Sequence, residues 1–157
     1  MTDRTEIKWT VVDKVHTNNP EETQELARRL LKHLRVGDAL ALTGELGAGK
    51  TTFVRGLVQA MGYEGRVRSP SYTLVHRYPT SPPVTHADLY RLLDEDELIA
   101  LNLEGDREQG ILLVEWADRL EDVWGIPDWR VEFSIPEQVG DDGNRDITIL
   151  CSREVTL

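Results

Sequence analysis

Gly44-Glu45-Leu46-Gly47-Ala48-Gly49-Lys50-Thr51 fits G-x-x-x-x-G-K-[ST] with nothing missing, and its flanks decide the fold. Ala39-Leu40-Ala41-Leu42 is an apolar run leading into it, and Phe53, Val54, Leu57, Val58 and Met61 recur at helical spacing beyond it. A strand that breaks into a glycine loop and resumes as a helix is the context that separates a phosphate-binding loop from a chance match. The alternative is a glycine-rich strand–helix turn with an exposed lysine, and motif and context together weigh against it. In such a loop the glycines let backbone N–H groups turn inward around phosphate oxygens, and the helix adds its positive N-terminal end. Lys50 is expected to reach the β- and γ-phosphates and Thr51 to hold Mg²⁺. The nucleotide-contacting segment runs from Gly44 through Thr52.

The chain has 157 residues, enough for one domain, 1–157, with a real core. Its formal charge of −10 argues against broad, sequence-independent nucleic-acid binding, which needs a basic face. A complex in which another subunit holds the nucleic acid remains compatible with that charge. One cysteine, Cys151, forms no internal disulfide and reads as a small buried hydrophobe in the strand Ile147 to Cys151. No apolar run approaches membrane-spanning length, and Met1 to Glu6 lacks a signal-peptide-like segment. A cytoplasmic protein with no membrane partner is expected.

Ile7 to Val15 alternates as a strand. Asn19-Pro20 announces a helix, with Asn19 as N-cap and Pro at its first position. Leu26, Leu30, Leu31 and Leu34 fall on one face of it, and Gly37 marks its stop. Asp38 to Thr43 is the strand feeding the loop, and residues 49–61 form the helix leaving it. Gly56 inside that helix costs about 1 kcal/mol relative to Ala, for which a close helix–sheet contact is one compensation. Leu74 to Tyr78 and Val84 to Leu89 read as a hairpin across Thr80-Ser81-Pro82-Pro83. Asp94-Glu95-Asp96-Glu97 heads a short helix and reads as a solvated N-terminus, not a metal site. Ile111-Leu112-Leu113-Val114 has the continuous apolarity of a strand buried on both faces. Trp129 to Ile135 and Asp146 to Cys151 alternate as two strands around the hairpin-type loop Gly140 to Asn144. A helical first half and a strand-rich second half predict an α/β fold, a P-loop NTPase-type three-layer sandwich with a mixed parallel and antiparallel sheet.

A phosphate loop needs a carboxylate at the end of a neighbouring strand to orient Mg²⁺ and its water. Asp88 and Glu115 both stand at such ends, and Glu115 follows the cleaner strand. Either Asp88 takes the metal's water shell while Glu115 polarises the attacking water, or the reverse. His86 reads as structural or surface, since phosphoryl transfer requires no nucleophilic triad. Ser69-Pro70-Ser71-Tyr72-Thr73 places three hydroxyls, those of Ser69, Ser71 and Thr73, and a stiff proline in a loop after the helix. Such a loop either senses a γ-phosphate or is simply a capped turn. The guanine-reading Asn-Lys-x-Asp is absent, and Asp122-Val123-Trp124-Gly125 does not end an apolar strand, so ATP is favoured over GTP. No arginine is evidently placed as a finger. Thr17-Asn18 and the C-terminal strands are the conceivable adenine walls.

Four blocks occur in order: Gly44 to Thr52, Ser69 to Val75, His86-Ala87-Asp88-Leu89-Tyr90-Arg91-Leu92 and Leu113-Val114-Glu115-Trp116. Together, over about residues 7–135, they resemble the TsaE (YjeE) family of P-loop ATPases in tRNA threonylcarbamoyladenosine biosynthesis. The resemblance implies ATP and Mg²⁺ as ligands, and weak ATP hydrolysis stimulated in a complex with TsaB and TsaD. That pair transfers threonylcarbamoyl to adenosine 37 of ANN-decoding tRNAs, so tRNA is met through the complex. By matching position, Lys50 and Thr51 serve phosphate and Mg²⁺, Asp88 and Glu115 serve metal and water, Ser69 to Thr73 is switch-like, and Trp116 belongs to the same site region. Ser71 stands where the family block usually has Thr, keeping the hydroxyl. Asn102 to Gly110 matches the family's Gly-rich stretch poorly and receives no role. Competing readings are a small-molecule kinase, for which the chain is short and lacks an Arg-rich lid, and a non-enzymatic ATP-switched binding module.

Overall fold

In the computed structural model, which describes residues 8–71, 73–92, 94–117, 127–137 and 143–152, the apolar run before the loop becomes the middle of a mixed sheet. The elements in chain order are β1 (Thr10–Thr17), α1 (Pro20–Leu31), β2 (Ala39–Thr43), α2 (Lys50–Ala60), β3 (Val75–Tyr78) and β4 (Val84–Asp88). They continue with α3 (Glu95–Ala100), α4 (Leu103–Gln109), β5 (Ile111–Glu115), β6 (Trp129–Ser134) and β7 (Arg145–Cys151). The sheet has seven strands in the order β1-β7-β6-β2-β5-β4-β3. The four inner strands, β6, β2, β5 and β4, run parallel; β1, β7 and β3 join antiparallel at the two sides.

Period-two alternation divides the apolar residues of these buried strands between two faces. Leu40, Leu42, Leu113 and Trp129 pack under α1 and α2 with Leu26, Phe53, Val54 and Leu57. Ala39, Ala41, Leu112 and Val114 face the other way, with Leu98 and Leu103 of the region around α3 and α4. Helices cover both faces, giving the three layers expected from the sequence. Cys151 is buried.

Local chemistry sets the helix ends. The Asn19 side chain accepts from Glu22 N at 2.9 Å, and Glu22 Oε2 accepts from Asn18 N at 2.9 Å, so side chains satisfy two backbone donors at the entry to α1. Asp94 likewise caps α3 by accepting from Glu97 N. The first helix stops at Leu31, earlier than Gly37 suggested. Gly37, at φ +97°, instead closes the connection to β2, and its N–H reaches Gly110 O. The first strand spans Thr10–Thr17, shifted from Ile7–Val15. Ile7 lies outside the described residues, and the far end is held by pairing of His16 and Thr17 with Asp146 and Arg145. Helix α4 is a further addition: one buried apolar residue, Leu103, gives no helical pattern, and tertiary contacts hold the segment. Arg107 donates to Gly37 O and Asp128, and Asp106 accepts from Arg77.

Gly56 is explained by a helix–helix contact in place of the helix–sheet contact anticipated. A Cβ there would stand 2.5 Å from Gln24 Cα and 2.7 Å from Gln24 O, both backbone atoms of α1. Ala would gain about 1 kcal/mol of helix propensity, whereas overpacking against a neighbouring backbone costs about 1–3 kcal/mol. The clash is with backbone, so overpacking dominates. Gly56→Ala is predicted to lower the melting temperature by about 2–8 °C. A rise in thermal unfolding temperature would mean that α1 moves aside at no cost.

Candidate active site

Parallel pairing brings the ends of β2, β5 and β4 to one edge. Leu42 lies opposite Glu115, and Glu115 opposite Asp88. The loop therefore leaves β2 directly beside both carboxylates. Gly44, at φ +148°, passes so close to β6 that a Cβ would be 2.7 Å from Phe133 O. Gly47 and Gly49 also have positive φ, at +81° and +108°. Ala48 is fully buried beneath the loop, while Leu46 at its tip is exposed. Helix α2 begins on Lys50 with Gly49 as N-cap, no side-chain cap and no acidic residue in its first turn. Its first-turn N–H groups, with Thr51 and Thr52 half-buried among them, suit an anionic acceptor. The loop thus fits a polyphosphate.

Lys50 Nζ lies 2.5 Å from Gly44 O and 3.2 Å from Glu115 Oε1. The other oxygen of Glu115 is 2.8 Å from His86 Nε2. His86 is fully buried and Glu115 nearly so. Strand parity explains the meeting: His86 lies opposite Leu113, so Glu115 is its diagonal neighbour on the face that looks toward α2. His86 is therefore no surface residue; it holds the carboxylate that Lys50 touches. The clue was its position two residues before Asp88, on the same side of the strand.

Asp88 is buried too, and its Oδ1 accepts from Tyr90 N at 3.0 Å. Its own N–H donates to Leu74 O. Leu74 N in turn donates to Pro70 O, so Leu74 links the Asp88 strand end to the Ser69–Thr73 loop, in which Ser69 and Ser71 share a 2.7 Å hydroxyl hydrogen bond. Thr73 is exposed, and Tyr72 lies outside the described residues. Trp116 follows Glu115 at φ +63°, an outlier for a bulky residue, and is half-exposed with its ring 4.9 Å from that of Tyr90. A cavity of about 370 Å³ joins Thr43, Gly44, Lys50, Glu115 and Trp116, with Arg130 of β6 in its wall. Sequence reading had not singled out Arg130. Among the described residues no three His, Cys, Asp or Glu side chains gather as a cation cage. Mg²⁺ in phosphoryl-transfer sites needs none, being held by one or two side chains and the substrate's phosphates. The segment Asp122 to Gly125 lies outside the described residues, as do Gly140, Asp141 and Asp142.

Burial is the largest influence on the Glu115 carboxyl and pushes its pKa up. The hydrogen bond and charge of His86, joined by those of Lys50, outweigh it and hold the group below the usual glutamate value. A carboxylate whose pKa is depressed by folding contributes stability that is complete above its unfolded value, about 4.3. That contribution is lost as pH falls through the folded value. In metal-free, nucleotide-free protein, wild type is predicted to lose stability relative to Glu115→Gln as pH drops below about 4.3. Urea midpoints of the two proteins across that range test this; a constant difference would contradict it.

The fold and loop define a P-loop protein. A family model described as "Threonylcarbamoyl adenosine biosynthesis protein TsaE" matches residues 17–147, and the chain belongs to that family, which acts in tRNA threonylcarbamoyladenosine biosynthesis. The TsaE protein of Bacillus subtilis is 39% identical over 144 residues, covering 91% of this chain and 84% of the relative. The TsaE protein of Streptomyces coelicolor is 39% identical over 133 residues, covering 80% and 88%. Among solved structures, Bacillus subtilis YdiB superposes with a TM-score of 0.66 at 34% identity, covering 93% of this chain and 87% of that one. No helix among the described residues is long and apolar enough to cross a membrane.

Proposed function

We propose that this chain is a Mg²⁺-dependent ATPase, slow alone, whose hydrolysis supports repeated turnover by a TsaB–TsaD pair modifying adenosine 37 of ANN-decoding tRNAs in the cytoplasm. The observation that carries the reading is the Glu115 carboxylate, buried at a strand end and shared between Lys50 and His86 beside a phosphate loop. The acidic chain, at −10, suits a subunit that meets tRNA through its partners.

The chemistry follows from what the triphosphate offers Lys50. A phosphate oxygen is a stronger acceptor than the Gly44 carbonyl, so the ammonium turns to the anion and releases Glu115 Oε1. That oxygen then accepts the hydrogen bond of the attacking water, while His86 holds the other. Thr51 with Asp88 or Glu115 would hold Mg²⁺, which supplies charge neutralisation on the β- and γ-oxygens. Ser69, Ser71 and Thr73 stand on the loop that Leu74 links to the Asp88 strand end and would register the γ-phosphate.

Phosphate release from Mg·ATP by the protein alone and with a TsaB–TsaD pair plus tRNA tests the reading. Slow turnover that rises on adding the pair is expected. An isolated protein already at its complexed rate would refute the partner-dependent part, and no hydrolysis in either setting would refute the enzyme.

A further inference from the structure

We propose that the cavity beside Lys50 and Glu115 is a holding site for inorganic phosphate, the anion set free by hydrolysis, and that Arg130 at its far end binds it. This inference rests on the ATPase reading above and gives the second product a place. The observation behind it is a single cavity wall shared by Lys50, Glu115, Trp116 and Arg130.

Strand parity brings Arg130 to that wall. Its neighbours Trp129 and Val131 belong to the core under α1 and α2, so Arg130 stands on the opposite face of β6. There it lies opposite Ala41 of β2, which belongs to the core on that side. Lys50 and Glu115 meet on the α2 side, so the cavity passes round the end of β2 from one face of the sheet to the other. Small residues leave the room, because Ala41, Gly44 and Ala117 in its wall have no side chain beyond Cβ. Its volume of about 370 Å³ takes a tetrahedral anion together with waters. Arg130 is half-buried, and its guanidinium carbon lies over the Trp9 ring, 4.8 Å from the centroid. A stacked guanidinium donates in its own plane, and its fork matches two phosphate oxygens.

Charge sets the direction of travel. Cleavage leaves phosphate beside Lys50, which the β-phosphate of ADP also claims, and beside Glu115, which repels it. Among the described residues of the wall, Lys50 and Arg130 are the two cations. A move toward Arg130 exchanges a repulsive neighbour for an attractive one. Glu115 lies opposite Leu42 and Arg130 opposite Ala41, with β2 between them. Two strand spacings, about 10 Å, separate their backbones. An extended arginine covers much of that distance, whereas the carboxylate's repulsion fades along it. ADP stays on the loop's N–H groups, so phosphate occupies the cavity while ADP is still bound.

The test fills the loop first. Calorimetric titration of inorganic phosphate into the full chain saturated with Mg·ADP would compare wild type, Arg130→Gln and Arg130→Lys. Glutamine keeps part of the stem and a planar end but removes the charge, and phosphate is expected to bind about tenfold more weakly or worse. Mg·ADP affinity is expected to stay within about twofold of wild type. Arg130→Lys keeps the charge and a long stem, so it folds even where the glutamine variant does not, and it is expected to recover most of the lost phosphate affinity. Phosphate bound equally by wild type and Arg130→Gln would overturn the holding site, as would wild type that binds Mg·ADP but no phosphate. Mg·ADP weakened as much as phosphate would overturn it too, by making Arg130 part of the nucleotide's own seat. Wild type that neither binds Mg·ADP nor releases phosphate from ATP would remove the ATPase reading itself.

Discussion

Glu115→Gln is expected to cut ATP turnover about 10²–10⁴-fold while leaving ATP affinity unchanged or tighter. The amide keeps the shape of the side chain and an oxygen for hydrogen bonding, so the site is not emptied. It removes the negative charge that, on the proposed mechanism, orients and polarises water. It also removes the anion that draws Lys50 away from an incoming phosphate, since Lys50 Nζ lies 3.2 Å from Glu115 Oε1. Loss of that competitor favours nucleotide binding, whereas loss of the base slows the chemical step. The signature is thus a fall in kcat without a rise in KM. Single-turnover phosphate release and nucleotide titration on the same preparation measure the two halves. Turnover near that of wild type would assign the water to another group, with Asp88 the next in line. Cells carrying only Glu115→Gln, with hydrolysis lost and tRNA modification intact, would make the protein an ATP-bound switch instead of an ATPase.

Sequence alone carried most of the fold because the central strands are apolar without interruption. Ala39 to Thr43 and Ile111 to Glu115 are buried along nearly their whole length, so the pattern and the structure report the same physics. The phosphate loop was legible for a different reason: its glycines and lysine answer to the geometry of a ligand, which is local. What stayed hidden depends on contacts distant in sequence. Helix α4 is held by its Asp106 and Arg107, whose partners Arg77, Gly37 and Asp128 lie outside its own seven residues. Gly56 answers to the backbone of Gln24, and no period in its helix could disclose that. Within the site, Asp88 and Glu115 could be proposed as strand-end acids, but their meeting needed the register of β4 on β5. From sequence His86 reads as structural or surface, because phosphoryl transfer requires no nucleophilic triad. Only the 2.8 Å bond to Glu115 changes that assessment. Arg145 lies nearly a hundred residues from the loop it touches, beyond the reach of any motif.

Lys50→Ala should abolish nucleotide-driven function altogether, because three roles fall on one ammonium. On the proposed mechanism it offers the principal side-chain charge to the β- and γ-phosphates, and loss of one such preorganised donor costs about 10²–10³-fold in rate. It anchors the loop to itself through Gly44 O. It also helps keep Glu115 ionised; without it, burial acts against the carboxylate with His86 alone to oppose it. The third effect compounds the first, since the water-orienting group weakens together with the phosphate clamp. Lys50→Arg is not expected to rescue, as a rigid fork does not fit a space shaped around a point charge that touches both a carbonyl and a carboxylate. In a reconstituted reaction with a TsaB–TsaD pair and substrate tRNA, the variant should permit at most about one modification cycle per complex, where wild type sustains many. Multiple rounds of modification at the wild-type rate with Lys50→Ala would dissociate the phosphate loop from the biological output.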